Sequence, residues 1–252
     1  MSKIYFASDL HLGAPSPEES KKRERRFVDW LEMAAGDATE IHFLGDVFDF
    51  WFEYRNCIPK GGARVMGAIA RITDSGVPVH FHLGNRDLWS FGYLEDELGV
   101  VVHRNPVLLE WDGCKCYIAH GDGLGPGEYF YKFLKKIYRS RLCQWLFKLI
   151  HPDLGIAIAR LFIKRKHFKT QGVSSGEGFI SSEKEILHTY CTVEFARDNS
   201  IKCFIMGHRH LPLDLVVEDA KTGAQSRYVN IGDWTSYYSW AVLDNGVLEL
   251  KK

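Results

Sequence analysis

The 252-residue sequence has no uninterrupted apolar run near the ~18 residues of a membrane span. Met1-Ser2-Lys3 leads straight into a strand-like segment, without the charged and apolar regions of a signal peptide, so a cytoplasmic location is expected. Its six cysteines show no CxxC spacing, which argues against a thiolate zinc cluster and for reduced, mostly buried thiols; Cys114 and Cys116 would share one face of a strand. Internal repeats and low-complexity tracts are absent. Net charge is absent too, with 32 Lys and Arg against 32 Asp and Glu. With 46% hydrophobic and 25% charged residues, global disorder and fibrous architectures are excluded. The zero total hides an asymmetry, because residues 129 to 169 hold eleven Lys and Arg against one acid, Asp153.

Short β-rich runs at 3–8, 40–44 and 77–83 alternate with helical patterns at 17–33 and 63–72, the order of a parallel sheet with right-handed crossovers. Further strands are expected at 100–102, 107–111, 115–119 and 202–206. A helix is expected over 181–199, with Ser182 and Glu185 as a capping box. The tail alternates polar and apolar residues through four more strands, so the economical fold is α/β, two sheets covered by helices. The length suits one domain carrying an insertion: core at 1–124, insertion at 125–180, core again at 181–252.

Five of these apolar runs end in polar clusters: Asp9-Leu10-His11, Gly45-Asp46-Val47-Phe48-Asp49, Gly84-Asn85-Arg86-Asp87, His120-Gly121-Asp122 and Gly207-His208-Arg209-His210. In α/β sheets the carboxyl ends of strands converge on one edge, so loops distant in sequence can meet there. They offer two carboxylates (Asp9, Asp46), one amide (Asn85) and four imidazoles (His11, His120, His208, His210), a mixture that suits Mn²⁺, Fe or Zn²⁺ better than Ca²⁺ or Mg²⁺. Two divalent cations against two carboxylates leave about +2, which attracts a phosphate, and a metal pair roughly 3.5–4 Å apart activates water for phosphoryl transfer.

The signatures DxH, GDxxD, GNxD, His-Gly and GHxH occur here in order, and the chain resembles the calcineurin-like metallophosphoesterases over nearly its whole length. The resemblance implies a four-layer α/β/β/α sandwich of two mixed sheets with a helical lid insertion. It also implies one metal held by Asp9, His11, Asp46 and His210, and a second held by Asp46, Asn85, His120 and His208. Most of that superfamily has GNHD, whereas this chain has Arg86 in place of the His. An Arg cannot donate a proton near neutral pH, but its planar fork can neutralise phosphoryl charge. A phosphate leaving group departs without an acid, so the site suits a phosphoanhydride; the plain alternative is that Arg86 only pairs with Asp87. GNRD is the form of the UDP-2,3-diacylglucosamine diphosphatases of lipid A synthesis, and the chain looks like a member. Within that resemblance Asp49, Asp87 and Asp122 orient the ligands and Glu128 contacts substrate.

Between 130 and 149 a stripe of Phe130, Phe133, Leu134, Ile137, Tyr138, Leu142, Trp145, Leu146 and Leu149 backs onto Lys132, Lys135, Lys136 and Arg139. A second helix is expected from 154 to 163, and Gly172 to Gly178 reads as a mobile loop. A lid that binds acyl chains and docks on an anionic membrane surface explains apolar stripe and positive charge together. A nucleic-acid channel explains only the charge, and a hairpin packed on the domain with a solvated basic face is the plain alternative. The expected activity is hydrolysis of a nucleotide-linked glycolipid pyrophosphate. The alternative is a broader nucleotide pyrophosphatase or phosphodiesterase indifferent to acyl chains. Oligomeric state leaves no mark on the sequence.

Overall fold

In Lys3–Ala7 (β1), Ile4 and Phe6 point to one face and Tyr5 and Ala7 to the other, and all four are buried, so the strand must be covered on both sides. The computed structural model, which describes residues 2–170 and 181–252, meets that demand with four layers. The first sheet contains β1, β2 (Glu40–Phe43), β3 (Val79–His82), β4 (Val101–His103), β10 (Trp240–Asp244) and β11 (Val247–Lys251), in the order β11-β10-β1-β2-β3-β4. Its β1 to β4 run parallel, and β10 closes on β1 antiparallel. The second contains β5 (Val107–Trp111), β6 (Cys114–Ala119), β7 (Cys203–Met206), β8 (Pro212–Glu218) and β9 (Gln225–Ile231), in the order β5-β6-β7-β9-β8, with a parallel centre and antiparallel edges.

Helices α1 (Pro17–Ala35) and α2 (Ala63–Asp74) cover the outer face of the first sheet, burying Phe27, Leu31, Val65 and Ile69 against Phe43 and Phe81. The start of α1 is set locally: Ser16 accepts the Glu19 amide at 3.2 Å, Pro17 fills the first turn, and Glu18 and Glu19 face the helix N-terminus. Helix α3 (Tyr93–Leu98), which the apolar periodicity does not reveal, is only six residues long. Between β6 and the last helix lie α4 (Tyr129–Tyr138), α5 (Arg141–Lys148) and α6 (Pro152–Thr170), so the stripe expected as one element bends at Arg139 and Ser140. Helix α7 (Ile186–Arg197) covers the second sheet with Leu187, Cys191 and Phe195. It starts later than expected because Glu185, instead of closing a capping box, is buried and accepts both oxygens' worth of hydrogen bonds from Arg209, at 2.9 and 3.1 Å. Gly172 to Gly178 lies outside the described residues. All six cysteines are free, and Cys114, Cys116 and Cys203 meet between the sheets.

The layer between the sheets is not uniformly apolar. Under β1 and β10 it consists of Ile4, Phe6, Ile118, Ile205, Val229 and Leu243. Under β2, β3 and β4 it is filled by His42, His80, His82 and His103, stacked ring on ring, with Trp111 of β5 set edge-on against His42. Burial pushes all four imidazoles below their ordinary value, His42 and His82 the furthest. A ring kept neutral in the folded chain takes its proton on unfolding, so its contribution to stability is complete above the ordinary value of 6.5 and is lost as pH falls below it. Each such ring steepens the loss by up to ~1.4 kcal/mol per pH unit. Melting followed by circular dichroism between about pH 7.5 and about pH 5 should show a falling midpoint, with a shallower slope in His103→Gln. An equal midpoint across that range would contradict the neutral-histidine layer.

Candidate metal centre

The loops after β1, β2, β3, β6 and β7 share one rim, where main-chain hydrogen bonds lace them together. Asp9 N–H donates to Gly45 O at 3.0 Å, His11 N–H to Asp46 O at 2.9 Å and Gly207 N–H to His120 O at 3.0 Å. Five of the expected ligands, Asp9, His11, Asp46, His208 and His210, have left-handed backbones with φ between 46° and 68°. That region is uncommon for residues with a side chain and is held only where surrounding structure over-determines it. Two glycines permit the approach. A Cβ on Gly84 would fall within the Asp46 carboxylate, and one on Gly207 would lie 2.6 Å from Asp9 Oδ2.

Side chains converge within this frame. Asp9 Oδ1 lies 3.4 Å from His210 Nε2 and 3.5 Å from His11 Nε2, and the two imidazole nitrogens are 3.3 Å apart. Asp46 faces two ways: Oδ1 is 3.5 Å from His120 Nε2, while Oδ2 is 3.8 Å from His11 Nε2. His120 and His208 meet edge to face with ring centroids 5.1 Å apart. The groups Asp9-His11-His210 and Asp9-Asp46-His120 each place their donor atoms close enough to share one ion. Asp9 Oδ1 and His120 Nε2 are buried without a hydrogen-bond partner, and both aim into this centre. Buried polar atoms left unpaired are costly, and divalent cations fit such a donor set.

The outer nitrogens of three of these imidazoles are tied down. His11 Nδ1 is 3.2 Å from Asp49, His210 Nδ1 is 3.0 Å from Asp233, and His120 Nδ1 donates to Leu44 O at 2.6 Å. These contacts fix the tautomer that presents Nε2 to the centre. Asp233 was not among the expected site residues, although Gly232-Asp233 follows β9 much as Gly45-Asp46 follows β2. Asp87 accepts the Val47 amide at 2.8 Å and the Gly84 amide at 2.6 Å, joining two loops through their backbones. Asp122 is engaged by Tyr131 and Lys135 of α4, each at 2.6 Å, and so anchors the insertion. Arg86 is half-buried beside the centre, its amide donating to Asp46 Oδ1 at 2.8 Å, and Asn85 precedes it in the same loop. Glu128 is exposed at the start of α4, away from the buried cluster.

Electrostatics follow from the geometry. Although burial opposes charge on His11, Asp49 and Asp9 beside it hold its imidazolium up to about 10. Burial also opposes the Asp9 charge, but His210 and His11 keep that carboxyl well below the usual range. For His208, burial and the neighbouring His120 lower the ring to about 3. Burial and the Asp46 charge push Asp87 up to about 7. A cation competes with the imidazolium protons for the same carboxylates, so its uptake releases protons.

No family model matches the chain. It is 35% identical to UDP-2,3-diacylglucosamine hydrolase of Porphyromonas gingivalis, over 99% of this chain and 97% of that protein. The chain belongs to the UDP-2,3-diacylglucosamine hydrolase family. The hydrolase of the same name from Vibrio vulnificus is 31% identical over 82% of this chain and 80% of its own length, and that of Aeromonas hydrophila 29% over 91% and 89%. Among solved structures, a dimetal phosphatase from Danio rerio aligns with 96% of this chain and 91% of its own at 13% identity and a TM-score of 0.44, too low to bear on the site. The donor set at the rim fits a divalent-metal centre. Asp46→Asn should abolish stable metal uptake at the rim, and Asp233→Asn should weaken it by about tenfold by freeing the His210 ring. Metal analysis after equilibration with Mn²⁺ measures both; unchanged content in Asp46→Asn would refute the assignment.

Proposed function

We propose that the chain hydrolyses the pyrophosphate of UDP-2,3-diacylglucosamine to UMP and 2,3-diacylglucosamine 1-phosphate, a step in lipid A synthesis, with Mn²⁺ as the native metal. The observation that carries this reading is Asp46, whose two oxygens face separate imidazole groups in a chain whose full-length relatives bear that substrate's name. On this reading Asp9, His11, Asp46 and His210 hold one ion, and Asp46, Asn85, His120 and His208 the other. When bound, the ions supply an activated water and neutralise phosphoryl charge.

Arg86 is pinned by its backbone, since its amide donates to Asp46 and its carbonyl accepts from Trp51 at 3.0 Å. Its guanidinium is the group proposed to steady the phosphoryl oxygens, as a planar fork of donors suits that task. The leaving group of an anhydride is a phosphate monoester, with a second pKa near ~6, and needs no proton donor. A cleft runs from His120 past Asp122 to Arg104, Lys132, Lys135 and Arg139, a cationic track suited to the second phosphate of an anhydride. Glu128, at the mouth of α4, is the proposed contact for the nucleotide-sugar part.

Helix α4 turns Lys132, Lys135 and Tyr131 toward the body and Tyr129, Phe130 and Phe133 outward. Lys132 reaches Gly125 O and Lys135 reaches Asp122, while Tyr129 and Phe130 are 80% and 74% exposed. Leu142, Trp145 and Leu149 of α5 and its end, and Leu161 and Phe162 of α6, are exposed as well. The plain alternative, in which this stripe packs on the domain, loses support from these exposures. The helices meet the body instead through Phe147, whose ring lies 4.7 Å from that of Phe52 and 4.8 Å from that of Trp89. Apolar surface of this extent marks an interaction site. Among the described residues no helix is long and apolar enough to cross a membrane, so the proposed contact is peripheral: a lid for acyl chains that rests on an anionic cytoplasmic leaflet.

A Mn²⁺-supplemented assay of UMP release should favour acylated over unacylated UDP-glucosamine; equal turnover would leave the broader nucleotide pyrophosphatase as the function. Arg86→Ala should reduce kcat by about a hundredfold with metal content intact. Unchanged turnover would remove Arg86 from the chemistry. The double variant Trp145→Asp, Leu149→Asp should lose cosedimentation with vesicles rich in phosphatidylglycerol while keeping turnover of detergent-dispersed substrate; retained cosedimentation would reject the membrane contact.

A further inference from the structure

The histidine layer between the sheets contains a second convergence of metal-type donors, at the amino ends of the strands whose carboxyl ends form the rim. Glu40 and His42 alternate on β2, and His80 is the residue paired with His42 across β3. Glu40 Oε2 is 3.2 Å from His42 Nε2 and 3.5 Å from His80 Nε2, and the three donor atoms lie within 4.8 Å of one another. Such separations are the edges of a coordination polyhedron with bonds of about 2.0–2.2 Å.

What separates this group from an ordinary ion pair is that the outer atom of every donor is already held. His42 Nδ1 is 3.1 Å from His82 Nε2, and His80 Nδ1 is 2.9 Å from His103 Nε2. The Trp111 indole N–H donates to the other Glu40 oxygen at 3.1 Å. In the tautomer with both Nδ1–H groups donating to the next ring, both Nε2 lone pairs face Glu40, as ligating imidazoles require. The His42 side chain is fully buried, while Glu40 and His80 are 24% and 16% exposed, which leaves an opening for an ion and for water to complete its shell. Their rings stack 4.3 Å apart at 5°, so closing on an ion takes a small rotation of each about its Cβ–Cγ bond. Burial keeps both rings neutral, and no proton has to be expelled before they can ligate.

We propose that Glu40, His42 and His80 form a third, structural site for a divalent transition-metal ion, independent of the catalytic pair. Two imidazoles and a single carboxylate select Zn²⁺, Fe²⁺ or Co²⁺ over Mg²⁺ and Ca²⁺. The ion would tie β2 to β3 and, through Trp111, to β5 of the facing sheet.

The test uses the full chain, stripped of metal, re-equilibrated with Zn²⁺ and passed through a desalting column before metal analysis. The wild type should retain about three equivalents, and Glu40→Gln and His80→Asn about two, with turnover preserved. Glu40→Gln is nearly isosteric, and its circular dichroism separates loss of an ion from loss of fold. In a Co²⁺ titration, the visible bands of the third equivalent should be missing from both variants. Saturation of the wild type at two equivalents, or retention of the wild-type number by both variants, would overturn the proposal. Failure of the catalytic pair would show separately, as unchanged metal content in Asp46→Asn.

Discussion

The architecture turns on holding Asp9 and Asp46 side by side with their oxygens aimed into one buried space. Neither carboxylate gets there with relaxed backbone, since both sit in the left-handed region, together with His11, His208 and His210. Five such residues cost on the order of 1 kcal/mol each. The loops stay because each is the continuation of a buried strand and is bonded to its neighbour by the main chain. Ser8 Oγ to Asp9 Oδ2 at 2.5 Å and His208 N–H to the same oxygen at 2.9 Å then fix the carboxylate itself. The four-layer sandwich supplies the stiffness on which this arrangement relies.

The same sheets explain why chemistry gathers at one rim. In the first sheet β1, β2 and β3 run parallel, as do β6, β7 and β9 in the second, so six carboxyl ends deliver loops to the same side. Five carry the expected ligands, and the sixth carries Asp233, which holds His210. Antiparallel strands close one edge of the first sheet and both edges of the second.

Much of this was legible in the residues. Strand positions followed from period-two alternation, and the five clusters were visible because Gly-Asp, Gly-Asn and Gly-His pairs punctuate apolar runs. Long-range partnerships were not. Glu185 reads as the third residue of a capping box, yet Arg209 claims it from a distant loop, so α7 starts late. The resemblance makes Asp122 one of the residues that orient the ligands; its carboxylate bonds Tyr131 and Lys135 of α4, and the carbonyl of Leu44 holds the His120 ring. No periodicity announces a backbone acceptor. The amphipathic stripe of α4 is silent about direction: Lys132 and Lys135, with long stems and local carbonyl and carboxylate partners, face inward, and Lys136 stays exposed.

The inserted helices meet the body through the Phe147 ring, through Tyr138, whose carbonyl accepts from Trp89, and through Tyr131, Lys132 and Lys135 of α4, while Tyr129, Phe130, Leu142, Trp145 and Leu149 stay exposed on the outer face. Substitutions on well-separated surfaces combine additively. The outward aromatics can therefore be exchanged one by one with little change at the buried donors of the rim. The outer face of the insertion and the buried donors of the rim thus stand as separate surfaces, and each is free to vary without the other.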